Sequence, residues 1–148
     1  MSVDPVLEGG CLCGRVRYKL AGTPWNVGHC HCSMCRRASG AAVVTWLTVP
    51  DKGLSFTAGA PTWHQSSDHA RRGFCAACGT QIAFASTRYP GEVDITAASL
   101  DHPELVTPTR HTYAPDRIPW LIMNDGLPRH VEGSDSPVIA SNGDHNAI

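Results

Sequence analysis

In Arg15-Val16-Arg17-Tyr18-Lys19-Leu20 every second residue is apolar and the residues between are cationic. That is the period-2 pattern of a strand with one buried and one wet face. Residues 41–49, rich in Val, Thr and Trp, predict another strand, and residues 55–58, 62–65, 80–85 and 92–97 continue the series. Gly59, Pro61, Gly79, Pro90 and Gly91 punctuate these runs as turn residues. Only brief helical turns fit, one after Cys32 and one over residues 101–105. The expectation is a mainly β fold. From Gly133 to Ile148 aromatic residues and periodicity are both missing. This predicts a domain over residues 1–132 followed by a C-terminal tail, 133–148.

A chain of 148 residues suits one domain with its own core, and the formal net charge of -1 gives no general attraction to nucleic acid or anionic lipid. No stretch is apolar enough to span a membrane. Neither a nucleic-acid nor a membrane partner is therefore expected. Arg36/Arg37 and Arg71/Arg72 are the local basic doublets, read as solvated surface or as cations for a small carboxylate.

Cysteine changes the picture. Seven cysteines fall into Cys11/Cys13, Cys30/Cys32/Cys35 and Cys75/Cys78. Spacings of CxC, CxCxxC and CxxC let thiolates converge on one ion, whereas sulfurs so close along a chain rarely have disulfide geometry with each other. The odd count, a start without the apolar run of a secretion signal, and a chain long enough for a core weigh against a disulfide framework. A cytoplasmic setting is expected. Redox chemistry by Cys75 and Cys78 alone lacks the surrounding strand-and-helix alternation. Zinc is the expected cofactor. Four thiolates close a tetrahedron, so seven divide into one saturated site and one three-ligand site with an open position. Alternate residues of an extended chain share a face, so Cys11 and Cys13 can reach one ion, as can Cys30 and Cys32, while Cys35 needs a turn to swing back. In Cys75-Ala76-Ala77-Cys78-Gly79 small residues and the glycine suit a tight knuckle. Spacing alone leaves open whether Cys75/Cys78 join the first group or the second.

Three ordered motifs amount to a resemblance: Gly9-Gly10-Cys11-Leu12-Cys13-Gly14, then His29-Cys30-His31-Cys32-Ser33-Met34-Cys35-Arg36-Arg37-Ala38-Ser39-Gly40, then Phe74-Cys75-Ala76-Ala77-Cys78-Gly79-Thr80. With the closing stretch from Ser99-Leu100-Asp101 through Pro119-Trp120 to Asp125-Gly126-Leu127-Pro128, the chain resembles the glutathione-dependent formaldehyde-activating enzyme family, which includes centromere protein V. The resemblance runs from about Glu8 to Glu132. It implies an Mss4-like, β-tent fold of short antiparallel strands around two zinc ions. It also implies that Cys11, Cys13, Cys75 and Cys78 hold a structural zinc, and that Cys30, Cys32 and Cys35 hold a catalytic one. A local triplet that binds one metal unaided, leaving two distant pairs to close the fold, agrees with this partition.

The activity implied is that of a carbon-sulfur lyase of the S-(hydroxymethyl)glutathione synthase type, with small-molecule thiol and carbonyl substrates. Thiolate-rich zinc accepts another sulfur readily and keeps a bound thiol ionised. Arg36 and Arg37 are candidates for binding the carboxylates of glutathione, and Trp120, within the family-like ending, is the candidate pocket wall. Two other readings stay open: zinc-activated water hydrolysing imine-like electrophiles, and a non-catalytic zinc module that binds a protein partner. Strand alternation sends His29 and His31 to the face opposite Cys30 and Cys32, which favours surface or supporting roles. His64, His69, His102, His111 and His130 are read as surface or hydrogen-bonded residues. Trp25, Trp46 and Trp63 are read as core or pocket wall.

Overall fold

The computed structural model describes residues 6–139. The chain divides into two compact units, Met1–Trp25 with Trp46–Thr107, and Asn26–Thr45 with Pro108–Ile148. The fold is mainly β, as the alternation predicts. Among the described residues no helix is long and apolar enough to cross a membrane.

In the first unit β1 (Leu7–Gly10), β2 (Arg17–Leu20) and β5 (Leu54–Ala58) form an antiparallel sheet in the order β1-β2-β5. The alternation read from Arg15 onward is realised in β2, where Tyr18 and Leu20 are buried and Lys19 is exposed. Gly9 lies opposite Tyr18, and a Cβ there would sit 2.4 Å from the Tyr18 hydroxyl, so only glycine lets this ring pack across β1. The Tyr18 hydroxyl shares a 2.7 Å hydrogen bond with Ser99.

The rest of this unit is an antiparallel ladder. Its strands are β4 (Val44–Pro50, whose first two residues belong to the other unit), β9 (Glu92–Thr96), β8 (Gln81–Ser86), β7 (Ala70–Phe74) and β6 (Thr62–Gln65), adjacent in that order. Leu47, Val49, Ile82, Ala83 and Ile95 are fully buried in it. Burying each larger aliphatic side chain contributes about 1.5–3 kcal/mol.

Asp94, on β9, is the exception in this apolar setting. Burial raises its carboxyl from 3.8 to about 6, against the Thr48 hydroxyl donating at 2.6 Å and with Glu92 adding to the rise. A raised carboxyl value means that the folded state prefers the protonated form. Its contribution to stability is therefore full below about pH 3.8 and is lost as pH rises through about 6. At pH 8 the ionised group costs about 1–2 kcal/mol once its partial exposure is allowed for. Asp94→Asn keeps the oxygen that accepts from Thr48, so it should raise Tm by about 3–6 °C at pH 8 and leave it unchanged at pH 3. Thermal melts of the two proteins across this range test it, and an equal difference at both ends sinks the argument.

In the second unit β3 (Trp25–Cys30, whose first residue belongs to the other unit) leads into α1 (Ser33–Ser39). Gly40 caps α1 in the left-handed conformation at φ 69°, its N–H donating to Arg36 O at 2.7 Å. β10 (Arg110–Thr112) pairs with β3 in parallel, an addition to the antiparallel expectation. Gly28 admits the pairing, because a Cβ there would meet Arg110 Cγ at 2.9 Å. Of the expected tail 133–148, residues 133–139 turn back: Ile139 N–H donates to Arg129 O at 2.7 Å and Val131 N–H to Pro137 O at 2.9 Å. Residues 140–148 lie outside the described residues.

Candidate metal centre

Two turns build the first cluster, and both lie in the unit Met1–Trp25 with Trp46–Thr107. Cys11 and Cys13 sit between β1 and β2, and Cys75 and Cys78 between β7 and β8. Gly14, at φ 79°, donates its N–H to Cys11 O at 3.1 Å, and Gly79, also at φ 79°, donates to Cys75 O at 2.7 Å. These two glycines close the knuckles. All four sulfurs lie within 4.8 Å of one another. Cys11 and Cys13 are separated by 3.5 Å, and Cys13 and Cys75 by 3.8 Å. Sulfurs bound at about 2.3 Å to a shared tetrahedral ion stand about 3.8 Å apart, so the cluster is able to hold a metal ion.

Thr80 ties the knuckles together. Its hydroxyl accepts from Leu12 N–H at 3.0 Å and lies 3.2 Å from Cys78 Sγ. That contact, with backbone N–H groups, lowers Cys78 to about 5. Cys11 is also lowered: burial works against its thiolate, and Val16 N–H, donating to the sulfur at 3.3 Å, outweighs it with the help of Cys13. Cys13 rises to about 11, since the N–H at Arg15 favours its thiolate less than burial and the neighbouring thiols oppose it. Before any ion binds, the thiolate is favoured most at Cys78 and disfavoured at Cys13.

The second group lies wholly in the other unit. Cys30 ends β3, Cys32 precedes α1, and Cys35 lies on the buried side of α1. Cys30 and Cys35 sulfurs are 3.6 Å apart, again the spacing of two ligands on one ion. Hydrogen bonds from Cys30 and Cys35, with smaller help from the backbone at Cys35 and Met34, hold Cys32 far below an ordinary thiol. The same bond to Cys32, then Cys35 and burial, pushes Cys30 far up. Without an ion, this geometry favours the thiolate on Cys32 and the thiol on Cys30.

Arg36 is half-buried and its Nε donates to His31 O at 3.3 Å, while Arg37 is exposed on α1. Trp120 is 72% exposed. Among the described residues the four sulfurs of Cys11, Cys13, Cys75 and Cys78 converge as one group able to hold a metal ion, and separately Cys30 and Cys35 sulfurs lie in contact. Arg36 directly follows Cys35 on α1.

In the same unit as α1 stands a group of histidines whose mutual contacts the sequence conceals. His31 and His111 are both fully buried. Their rings stack at 5.1 Å, and His31 Nε2 lies 2.8 Å from His111 Nδ1. Nε2 of His111 donates to the Asp125 carboxylate at 2.8 Å. His29 lies 5.1 Å from the His111 ring and shares a 2.8 Å hydrogen bond with the Thr45 hydroxyl. Burial, with His111 and Arg129 beside it, brings His31 down to about 4. Asp125 is lowered: burial opposes ionisation, and Leu127 N–H at 3.1 Å and His111 outweigh it. His111 was one of several scattered histidines and Asp125 one residue of a family-like ending. Their pairing 14 residues apart follows no strand or helix period.

A family model described as glutathione-dependent formaldehyde-activating enzyme matches residues 6–116, a span holding all seven cysteines. A Halomonas elongata protein provisionally named as such an enzyme is 28% identical over 106 residues, covering 65% of this chain and 66% of that protein. An uncharacterized lyase of Schizosaccharomyces pombe is 30% identical over 83 residues, covering 56% of this chain and 60% of the relative. The chain thus spans less than two thirds of the length of these curated relatives. A crystal structure of a Rhodobacter sphaeroides protein superposes with a TM-score of 0.54 at 28% identity, covering 68% of this chain and 91% of that one.

Proposed function

The chain belongs to the glutathione-dependent formaldehyde-activating enzyme family, and from that premise we propose that it is a zinc-dependent carbon-sulfur lyase-type enzyme adding glutathione, or another thiol, to formaldehyde or a related small carbonyl. The observation that carries this reading is the group Cys30, Cys32 and Cys35, with sulfurs of Cys30 and Cys35 3.6 Å apart and the Cys32 thiol lowered by its two neighbours. Three thiols leave the fourth corner of a tetrahedron for an incoming ligand. In this reading they hold one zinc, and Cys11, Cys13, Cys75 and Cys78 hold a second, structural one. A zinc ion held by three thiolates would keep an incoming thiol ionised at neutral pH.

The reaction balances without an oxidant or reductant. The thiol sulfur bonds to the carbonyl carbon, the π pair of the carbonyl moves to oxygen, and the proton lost by the thiol ends on that oxygen. The reverse is carbon-sulfur cleavage. Arg36 and Arg37, directly after Cys35, are assigned to the carboxylates of glutathione, which a guanidinium pairs in a bidentate fork. Trp120, with its exposed ring, is assigned to the substrate's apolar parts. Residues 1–132 form the catalytic domain in this reading and 133–148 an extension, in a cytoplasm that keeps the thiols reduced.

The test is exchange between formaldehyde and its glutathione adduct, followed by NMR with zinc-loaded protein. The protein should accelerate it, and Arg36→Ala and Arg37→Ala should each raise KM for glutathione about tenfold while leaving a neutral thiol unaffected. No acceleration with any thiol, alongside zinc-dependent hydrolysis of imine-like substrates, overturns the reading.

A further inference from the structure

His31 sits between two cysteines of the proposed open site, and three contacts hold it. Its N–H donates to Thr112 O at 3.0 Å, its carbonyl accepts from Arg36 Nε at 3.3 Å, and its Nε2 meets His111 Nδ1 at 2.8 Å. The parallel register that sets His111 opposite His29 supplies the first and third. Beyond His111 lie the two Asp125 oxygens, at 2.8 and 3.0 Å from its Nε2.

The direction of these bonds can be worked out. A carboxylate only accepts, so His111 donates from Nε2. At the other end His31 Nδ1 is buried and has no hydrogen-bond partner among the described residues. A buried N–H without an acceptor is rarer than a buried acceptor without a donor, which puts the His31 proton on Nε2. His31 then donates to His111, and His111 donates to Asp125.

We propose that Asp125 is a positioning residue that acts through His111 to hold His31 in the Nε2–H tautomer, with Nδ1 bare, and thereby fixes the Cys30–Cys32 segment. The same residue reaches α1 through its carbonyl and Arg36, so the line extends to the helix carrying Cys35. The role in turnover rests on the thiol–carbonyl reading; the direction of the bonds does not.

Long-range proton–nitrogen NMR of protein labelled with 15N-histidine reads each tautomer. In wild type both rings should carry the proton on Nε2. Asp125→Asn offers an amide that can donate to His111 Nε2, so both protons should move to Nδ1. With it kcat for the thiol–formaldehyde reaction should fall about 10- to 100-fold, with little change in KM. In Asp125→Ala, acetate should restore both the tautomers and the rate, and acetamide neither. A wild-type His31 with its proton on Nδ1, or a folded Asp125→Asn protein whose protons have not moved, overturns the proposal. Tautomers as expected with full kcat in Asp125→Asn overturn the positioning role and leave the thiol–carbonyl reading standing. Tautomers as expected in a wild type that processes no thiol overturn that reading and, with it, the part Asp125 plays in turnover.

Discussion

Cys78→Ser should leave a protein that is largely unfolded at 37 °C, and chelation strong enough to strip the first cluster should do the same to wild type. The cluster joins turns 62 residues apart, and cross-linking a loop of that length is worth about 4 kcal/mol by chain entropy alone. Zinc binding in small structural sites supplies on the order of 10 kcal/mol of folding free energy, comparable to the whole net stability of a domain, about 5–15 kcal/mol. The contacts that remain are small beside this. Leu12 N–H to Thr80 is one hydrogen bond, worth about 1 kcal/mol net. The bidentate pairing of Arg17 with Asp101 lies at the surface, its side chains 34% and 40% exposed, and such pairs contribute about 0–1 kcal/mol. Circular dichroism melts with elemental analysis on the same samples check the expectation. A Cys78→Ser protein with wild-type Tm would show that this quartet does not carry the fold.

The strands legible in the sequence were those whose burial alternates or whose turns are marked by glycine and proline. β2, β5, β6, β8 and β9 lie within two residues of where the pattern put them, and β4 begins three residues later than expected. β7 shows why others were hidden. Its sequence Ala-Arg-Arg-Gly-Phe has no hydrophobic period, yet Arg72 is buried over the Phe84 ring at 5.0 Å and Arg71 lies over Trp63 at 4.2 Å. Rings on the flanking strands thus let guanidinium groups occupy positions that a pattern of apolar residues would mark. β3 was hidden by Gly28 and His29, and β10, of three residues, is too short to have a period.

The cysteines were legible because ligand spacing is local, and their partition was not, because pairing Cys11/Cys13 with Cys75/Cys78 depends on two hairpins meeting. Alternation sends His31 away from Cys30 and Cys32, but it could not show that His31 is buried. The partner there, His111, comes from a parallel pairing 80 residues away, and parallel pairs leave no turn signature.

Cys35→Ser should do the reverse of Cys78→Ser: the protein keeps its fold and loses more than about 100-fold in thiol–formaldehyde turnover. Cys35 is a ligand of the proposed open site, and serine in its place removes a thiolate from a set of three that has no spare. The fold has less at stake. α1 has seven residues, and its unit, Asn26–Thr45 with Pro108–Ile148, does not contain the four-cysteine cluster. Exchanging buried sulfur for the smaller hydroxyl should cost about 1–3 kcal/mol, against the on the order of 10 kcal/mol at stake in the quartet. Measured together, melts and NMR exchange rates give each variant two coordinates. Cys78→Ser should move chiefly in Tm and Cys35→Ser chiefly in rate. A Cys35→Ser protein that melts far below wild type, beside a folded and inactive Cys78→Ser protein, would mean that the structural and reactive roles belong to the opposite groups. Equal loss of both properties in both variants would mean that neither group folds without the other.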